Sequence, residues 1–242
     1  MVSATVMAHP DREDAAKRIA QELDCGITWD ERNREWDTAR RALLAYPAEA
    51  THHLVIQDDA VLCRDLELVL PDLALEGSPV CLYTGAPHPK GEHFGPAMRD
   101  ARAQGVNWLA GRTPLWGVAV LYPTEHLPEL VSWGDAHPMY HGSDSRASKW
   151  YDAQGIDRWY TVPSLVEHED GRSLLGHCRT ARRAWSFIGR DASALDVDWR
   201  DRTAIQLTEI FNRGGKDTIA YRNTSRLDRL RNDPDWRRVW PR

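Results

Sequence analysis

The chain has 242 residues, 42% of them hydrophobic, and a formal net charge of −5, enough to bury the core of one α/β domain and leave a modest C-terminal appendage. That charge excludes a protein whose whole surface grips nucleic acid, and four scattered cysteines, Cys25, Cys63, Cys81 and Cys178, exclude a disulfide scaffold and read as reduced thiols. No run of about 18 apolar residues offers a membrane span, and Met1 to Pro10 lacks the basic-then-apolar pattern of a leader, so the expectation is a cytoplasmic protein that meets no membrane.

Ala4 to Met7 reads as a first strand, closed by His9-Pro10. A helix follows from Asp11, with Ala15, Ile19 and Leu23 at i, i+4 and i+8 and with Arg12, Glu13, Lys17 and Arg18 on the wet side. A second helix runs from about Asp37 to Tyr46, stops at Pro47 and buries Ala39, Ala42 and Leu43. His53 to Gln57 is a strand that runs straight into acidic residues, and Val80 to Thr84 is another, flanked by Ser78-Pro79 and Gly85. Gly85 to Thr113, rich in Pro and Gly, reads as a long loop of the kind that forms lids. Trp116 to Tyr122 is a strand, Thr124 caps a helix to Trp133, Asp144 to Ala153 is a further helix, and Trp159 to Val166 returns as a strand.

This alternation predicts an α/β fold of Rossmann type, with a mostly parallel twisted sheet covered on both faces, over residues 1–178. Residues 179–242 read as an Arg-rich helical extension broken by Gly189, Gly214-Gly215 and Pro234. From Arg179 to Arg242 fifteen Lys/Arg face nine Asp/Glu, a net of +6 that leaves −11 for the body. Such a tail suits an anionic partner, and it equally suits a set of solvated helix faces. The eleven tryptophans serve either as core or as stacking surfaces.

Chemistry is most legible at Leu54-Val55-Ile56-Gln57-Asp58-Asp59-Ala60, an apolar strand that delivers two adjacent carboxylates at its C-terminal end. Ligands of open α/β sheets bind at that edge. Two such carboxylates repel unless a cation or a basic side chain lies between them, and their hard oxygens suit Mg²⁺ or Mn²⁺. A turn, or a cap on a helix starting near Leu66, is the competing role for the same pair.

The run Val55 to Ala60 resembles the acidic metal-binding motif of glycosyltransferases with the GT-A fold, above all the lipopolysaccharide and collagen galactosyltransferase-related group. Four further segments resemble that family in the same order. Ala8-His9-Pro10 with Arg12 is similar to the loop that touches the nucleotide, and Trp36 to Arg41, with Asp37 and Arg40, to the helix that meets base and diphosphate. Trp116-Gly117-Val118-Ala119 is similar to the strand lining the donor-sugar pocket through Gly117, and Pro163 to His168 to the segment whose histidine completes the metal site. The resemblance implies a Mn²⁺ or Mg²⁺ ion on Asp58, Asp59 and His168 and a nucleotide-sugar donor, a UDP-sugar first. Gln57 departs from it, because the family often has a third acidic residue there.

Inverting sugar transfer needs a base for the acceptor hydroxyl. Asp144, in His141-Gly142-Ser143-Asp144-Ser145, follows a glycine turn and precedes a helix as the family's catalytic carboxylate does; it also has the signature of a helix N-cap. In the turn Asp170-Gly171-Arg172-Ser173, Arg172 and Ser173 are candidates for phosphate oxygens, and His177 is the alternative to His168 as ligand. Small transferases of this appearance resemble phage-encoded enzymes that glycosylate hydroxymethylated pyrimidines such as 5-hydroxymethylcytosine. That resemblance implies DNA as acceptor, held through Arg179, Arg182 and Arg183, and the cytoplasm of a bacteriophage's host as location. Two other classes stay open: a metal-dependent nuclease or phosphoesterase on the same Asp58, Asp59 and His168, and a nucleotide- or DNA-binding module without turnover.

Overall fold

The computed structural model describes residues 1–86, 94–169, 183–211 and 217–222. Strand β1, Val2–Ala8, leads through a 3-10 turn at Pro10–Arg12 into α1, Glu13–Glu22, whose Ala16, Ile19 and Ala20 form the buried stripe. Next come β2, Gly26–Trp29, α2, Glu35–Leu43, and β3, His52–Gln57. Then follow β4, Ala60–Leu62, α3, Leu66–Leu73, β5, Val80–Cys81, and β6, Gly85–Ala86. Beyond these lie α4, Phe94–Gln104, β7, Trp108–Gly111, β8, Ala119–Pro123, and α5, Leu127–Ala136. The chain continues through α6, Ser143–Gln154, β9, Arg158–Thr161, β10, Val166–His168, and β11, Arg183–Ala184, to β12, Ala204–Phe211, and β13, Asp217–Arg222.

Among the described residues nine strands form one sheet in the order β13-β12-β7-β9-β5-β8-β3-β1-β2. It is mixed. The β1–β2, β1–β3, β5–β9 and β7–β12 pairs are parallel, whereas β3–β8, β5–β8, β7–β9 and β12–β13 are antiparallel. The expected parallel order thus holds on the β2-β1-β3 side, and β8, antiparallel to both β3 and β5, reverses it.

Both faces are covered, and the alternation of side chains shows how. In β3, Leu54 and Ile56 enter the core beneath α1 and α3 with Val6, Ile19, Leu66 and Leu70, while Val55 enters the opposite core with Leu43, Leu130 and Tyr160. In β7, Trp108 and Leu109 divide between the two faces in the same way. A period of two with both sets apolar is what a doubly covered strand requires. Full burial of a side chain such as Leu54 stabilises by about 1.5–3 kcal/mol.

Two sequence expectations are corrected. Gly85 to Thr113 is not a loop throughout: α4 and β7 lie within it. Phe94, Ala97, Met98 and Ala101 make a helical apolar stripe, all buried, and the density of Gly and Pro around them masked that period. The segment after Arg183 is not a helical extension, since its described part contributes β11, β12 and β13. Ile205 and Leu207 alternate into the core from β12, and the β-branched and aromatic run Ile205, Thr208, Ile210, Phe211, Thr218, Ile219 and Tyr221 favours strands over the helices suggested by its arginines. The expected boundary at 178/179 lies outside the described residues.

Candidate functional site

Parallel pairing of β1 with β3, Met7 opposite Gln57, brings the two strands to one sheet edge, so His9 and Arg12 emerge beside Asp58 and Asp59. The Gln57 N–H donates to Val118 O at 2.8 Å and the Asp58 N–H to Met7 O at 3.2 Å, which fixes the acidic pair between β1 and the start of β8. Asp58 is 6% exposed. Its Oδ2 accepts the His9 N–H at 2.7 Å, and its Oδ1 accepts Arg12 Nη1 at 2.8 Å. The same Nη1 donates to Asp59 Oδ2 at 2.5 Å. The basic partner that two adjacent carboxylates demand is therefore Arg12, delivered by the turn after β1.

His168 arrives by another route. Strand β10 pairs antiparallel with β4, His168 opposite Ala60, and the Glu169 N–H donates to Asp59 O at 2.7 Å. Glu167 pins this ribbon, its Oε1 accepting the His168 N–H at 2.8 Å and the Ala184 N–H at 2.7 Å. His168 Nε2 then stands 3.2 Å from Asp59 Oδ2. Burial pushes both carboxyls up, but the balance differs. Asp59 ends below its ordinary value because His168 and Arg12 favour its charge, whereas Asp58 ends above its own, with the His9 N–H and Arg12 only partly offsetting burial.

Asp144 reaches the same edge from the first turn of α6. A Cβ added to Gly117 would lie 3.2 Å from Asp144 Cβ and 3.4 Å from Gln57 Nε2, so the missing side chain of Gly117 is what lets Asp144 approach the residue just before the acidic pair. Gly142, at φ +82°, makes the turn into α6, and a Cβ there would meet Asp144 Oδ1 at 2.8 Å. Asp144 Oδ1 accepts the neighbouring Ser145 N–H at 2.6 Å, but the N-cap of α6 is Gly142 and Asp144 is the second residue inside the helix, so the expected N-cap role is not what it plays.

One residue of this constellation has no sequence signal. Glu35, the first residue of α2, accepts the Ser143 N–H through Oε1 at 2.9 Å and so caps α6 from a distant part of the chain. Burial raises the Glu35 carboxyl, and the Asp144 charge adds to the rise against the opposing Ser143 bond and Arg146. Nothing in Arg34-Glu35-Trp36 marks a partner 108 positions away.

Other expected contacts fall elsewhere. Ala8 is buried at the end of β1 and its carbonyl accepts the Asp30 N–H at 2.7 Å. Asp37 lies 4.0 Å from Arg34, and Arg40 pairs with Asp135 of α5 at 3.5 Å, so Arg40 joins two helices rather than meeting the acidic pair. Arg172, Ser173, His177, Arg179 and Arg182 lie outside the described residues; Arg183 is in β11.

The donor set for a divalent ion is chemically apt: Asp58, Asp59 and His168 supply two carboxylates and an imidazole. Asp59 Oδ1 and His168 Nδ1 are buried with no hydrogen-bond partner, as atoms awaiting a ligand would be. Among the described residues no three such groups are arranged to share one ion, and Arg12 lies on both carboxylates.

No family model matches the sequence, and no curated protein matches it. Among solved structures the chain is similar to Drosophila β1,4-galactosyltransferase 7. A mutant of that enzyme in complex with manganese, UDP-Gal and xylobiose gives a TM-score of 0.43 at 8% identity, covering 90% of this chain and 92% of that one. Its catalytic domain with xylobiose gives 0.43 at 9% identity, covering 91% and 92%. At that identity no residue of one chain stands for a residue of the other.

Proposed function

We propose that this chain is a glycosyltransferase that moves a sugar from a nucleoside-diphosphate donor, a UDP-sugar first, to a hydroxyl acceptor. The observation that carries it is the convergence, at the C-terminal ends of β1 and β3, of Arg12, Asp58, Asp59 and His168 with Asp144 close behind through Gly117 and Gln57. Open α/β sheets bind ligands at that edge. Asp58, Asp59 and His168 are the residues that would hold Mn²⁺ or Mg²⁺, an ion that supplies charge neutralisation for a departing diphosphate. Asp144 takes the proton of the acceptor hydroxyl in an inverting displacement, while Glu35 holds the α6 terminus that carries it. Gly117, lacking a side chain, lets Asp144 stand against Gln57 and so beside the acidic pair.

The acceptor we propose is a hydroxymethylated pyrimidine of DNA, on the basic composition from Arg179 onward. A two-ion phosphoesterase draws on more carboxylates than the Asp58–Asp59 pair supplies, and a pure binding module has no use for Asp144 at this edge.

Calorimetric titration of UDP and GDP, with and without Mn²⁺, into wild type and into the Asp58→Ala/Asp59→Ala double variant tests the proposal. Metal-dependent nucleotide binding that vanishes in the double variant is the expected result. Absence of binding by either nucleotide to wild type overturns it.

A further inference from the structure

The acidic pair is already neutralised in part, by a side chain that lies against both carboxylates. Arg12 is only 19% exposed, and its Nη1 bridges Asp58 Oδ1 and Asp59 Oδ2 at 2.8 and 2.5 Å. The second oxygen of Asp58 is committed to the His9 N–H at 2.7 Å, and Asp59 Oδ2 is shared with His168 Nε2 at 3.2 Å. Of the four carboxylate oxygens, only Asp59 Oδ1 has no partner. A cation therefore cannot gain Asp58 without removing Arg12.

Removing Arg12 has a cost that depends on what else is present. A guanidinium withdrawn from two carboxylates loses charge-assisted hydrogen bonds and, four-fifths buried, has little water to replace them. A diphosphate changes this balance, since phosphate oxygens match the guanidinium fork as well as a carboxylate does. With Arg12 moved onto the diphosphate, the charge of Asp58 and Asp59 meets a divalent ion without stranding a cation.

We infer that Arg12 is the specificity-determining residue of this pair: it excludes a free divalent cation and admits one only together with a diphosphate, which takes over the guanidinium. This deepens the nucleotide-sugar function proposed above and rests on it. Arg12 leaves Asp58 Oδ1 and Asp59 Oδ2, which become available as ligand atoms, while His9 keeps its N–H on the other oxygen of Asp58. No covalent bond changes; one set of ionic contacts replaces another.

The test is Mn²⁺ binding followed by electron paramagnetic resonance of the free ion, in wild type and in Arg12→Gln, each alone and with UDP. Wild type alone is expected to bind Mn²⁺ weakly and to gain affinity with UDP. Arg12→Gln alone is expected to bind Mn²⁺ at least about tenfold more tightly than wild type, one charge-assisted contact being worth about that factor, and to gain less from UDP. Adding Asp59→Asn to Arg12→Gln should abolish the gain, which locates the ion. Equal Mn²⁺ affinity in wild type and Arg12→Gln, both without nucleotide, overturns the role of Arg12 whatever UDP does. Failure of UDP and GDP to bind wild type under any condition instead removes the transferase function, while a tighter Mn²⁺ site in Arg12→Gln alone would still show that Arg12 competes with cations. Should Arg12→Gln fail to fold, as judged by near-ultraviolet circular dichroism, Arg12→Lys replaces it: a single ammonium competes less well across two carboxylates, and Mn²⁺ affinity no higher than wild type overturns the inference.

Discussion

Asp58 and Asp59 are neighbours in sequence, yet their carboxyls are driven in opposite directions by what surrounds them. Asp59 is the stabilising member: its folded value lies below the ordinary one, so its contribution is present above the ordinary carboxylate range and is lost as pH falls through the depressed value. Asp59→Asn is therefore expected to destabilise the protein at neutral pH by on the order of 3 kcal/mol, as removal of one partner from a mostly buried ion pair does, with the difference shrinking in acid. Urea unfolding at several pH values checks this; an equal loss at every pH would contradict it. Glu35 has the opposite sign. Burial, then Asp144, raises its folded value, so the folded state binds the proton more tightly and stability falls as pH rises from the ordinary to the raised value. Glu35→Gln keeps an oxygen for the Ser143 N–H and is expected to flatten that fall in unfolding midpoints measured from the ordinary carboxylate range upward; an unchanged slope would show that the Glu35 carboxyl is not raised in the folded state. The acidic pair and the glycine turn before Asp144 were legible because strand ends and turns carry local signatures. Glu35 was not, since its meaning comes only from a helix that folds against it, and the bridging of both carboxylates by Arg12 likewise appears only once β1 lies beside β3.

Helices with a clean apolar stripe, such as α1 with Ala16, Ile19 and Ala20, could be found in the sequence, and their ends moved by a few residues at most. The helix α4 was hidden by Gly95, Pro96 and Gly105 around its stripe, and β12 and β13 by arginine content that says nothing about strand or helix. Long strands were drawn as one where two exist: Trp159 to Val166 divides into β9, which joins the main sheet, and β10, which crosses to β4 and carries His168. Periodicity cannot see which of two sheets a strand will join. The junction before β8 is the element on which the site depends most. Gly117→Ala would push a methyl to 3.2 Å from Asp144 Cβ, a distance relieved only if α6 or β8 gives by a few tenths of an ångström. The expected outcome is a fall in turnover of about tenfold or more, by misplacement of the base, with the circular dichroism spectrum unchanged. Retained turnover would separate Asp144 from the chemistry.

At the scale of the molecule, Trp199, Ile205 and Leu207, among the described residues after 183, are part of the core. Trp199 is 2% exposed, meets Trp108 edge-on at 5.6 Å and donates Nε1 to Ala194 O at 2.8 Å. Trp199→Ala is expected to cost about 3–5 kcal/mol, read as a lower urea midpoint; a cost under 1 kcal/mol would mean that this segment is dispensable to the core. No helix of the described residues is long and apolar enough to cross a membrane. The order of the main sheet has a consequence for how the protein is made. Strands β1, β2 and β3 leave the ribosome before the other strands and lie side by side, so they can associate as they emerge. Strand β7, with Trp108, Leu109 and Ala110 all fully buried in the finished protein, lies between β9 and β12, both synthesised after it. Until Ala204 and its neighbours appear, one edge of β7 is an unpaired apolar strand, of the kind that recruits chaperones or other nascent chains.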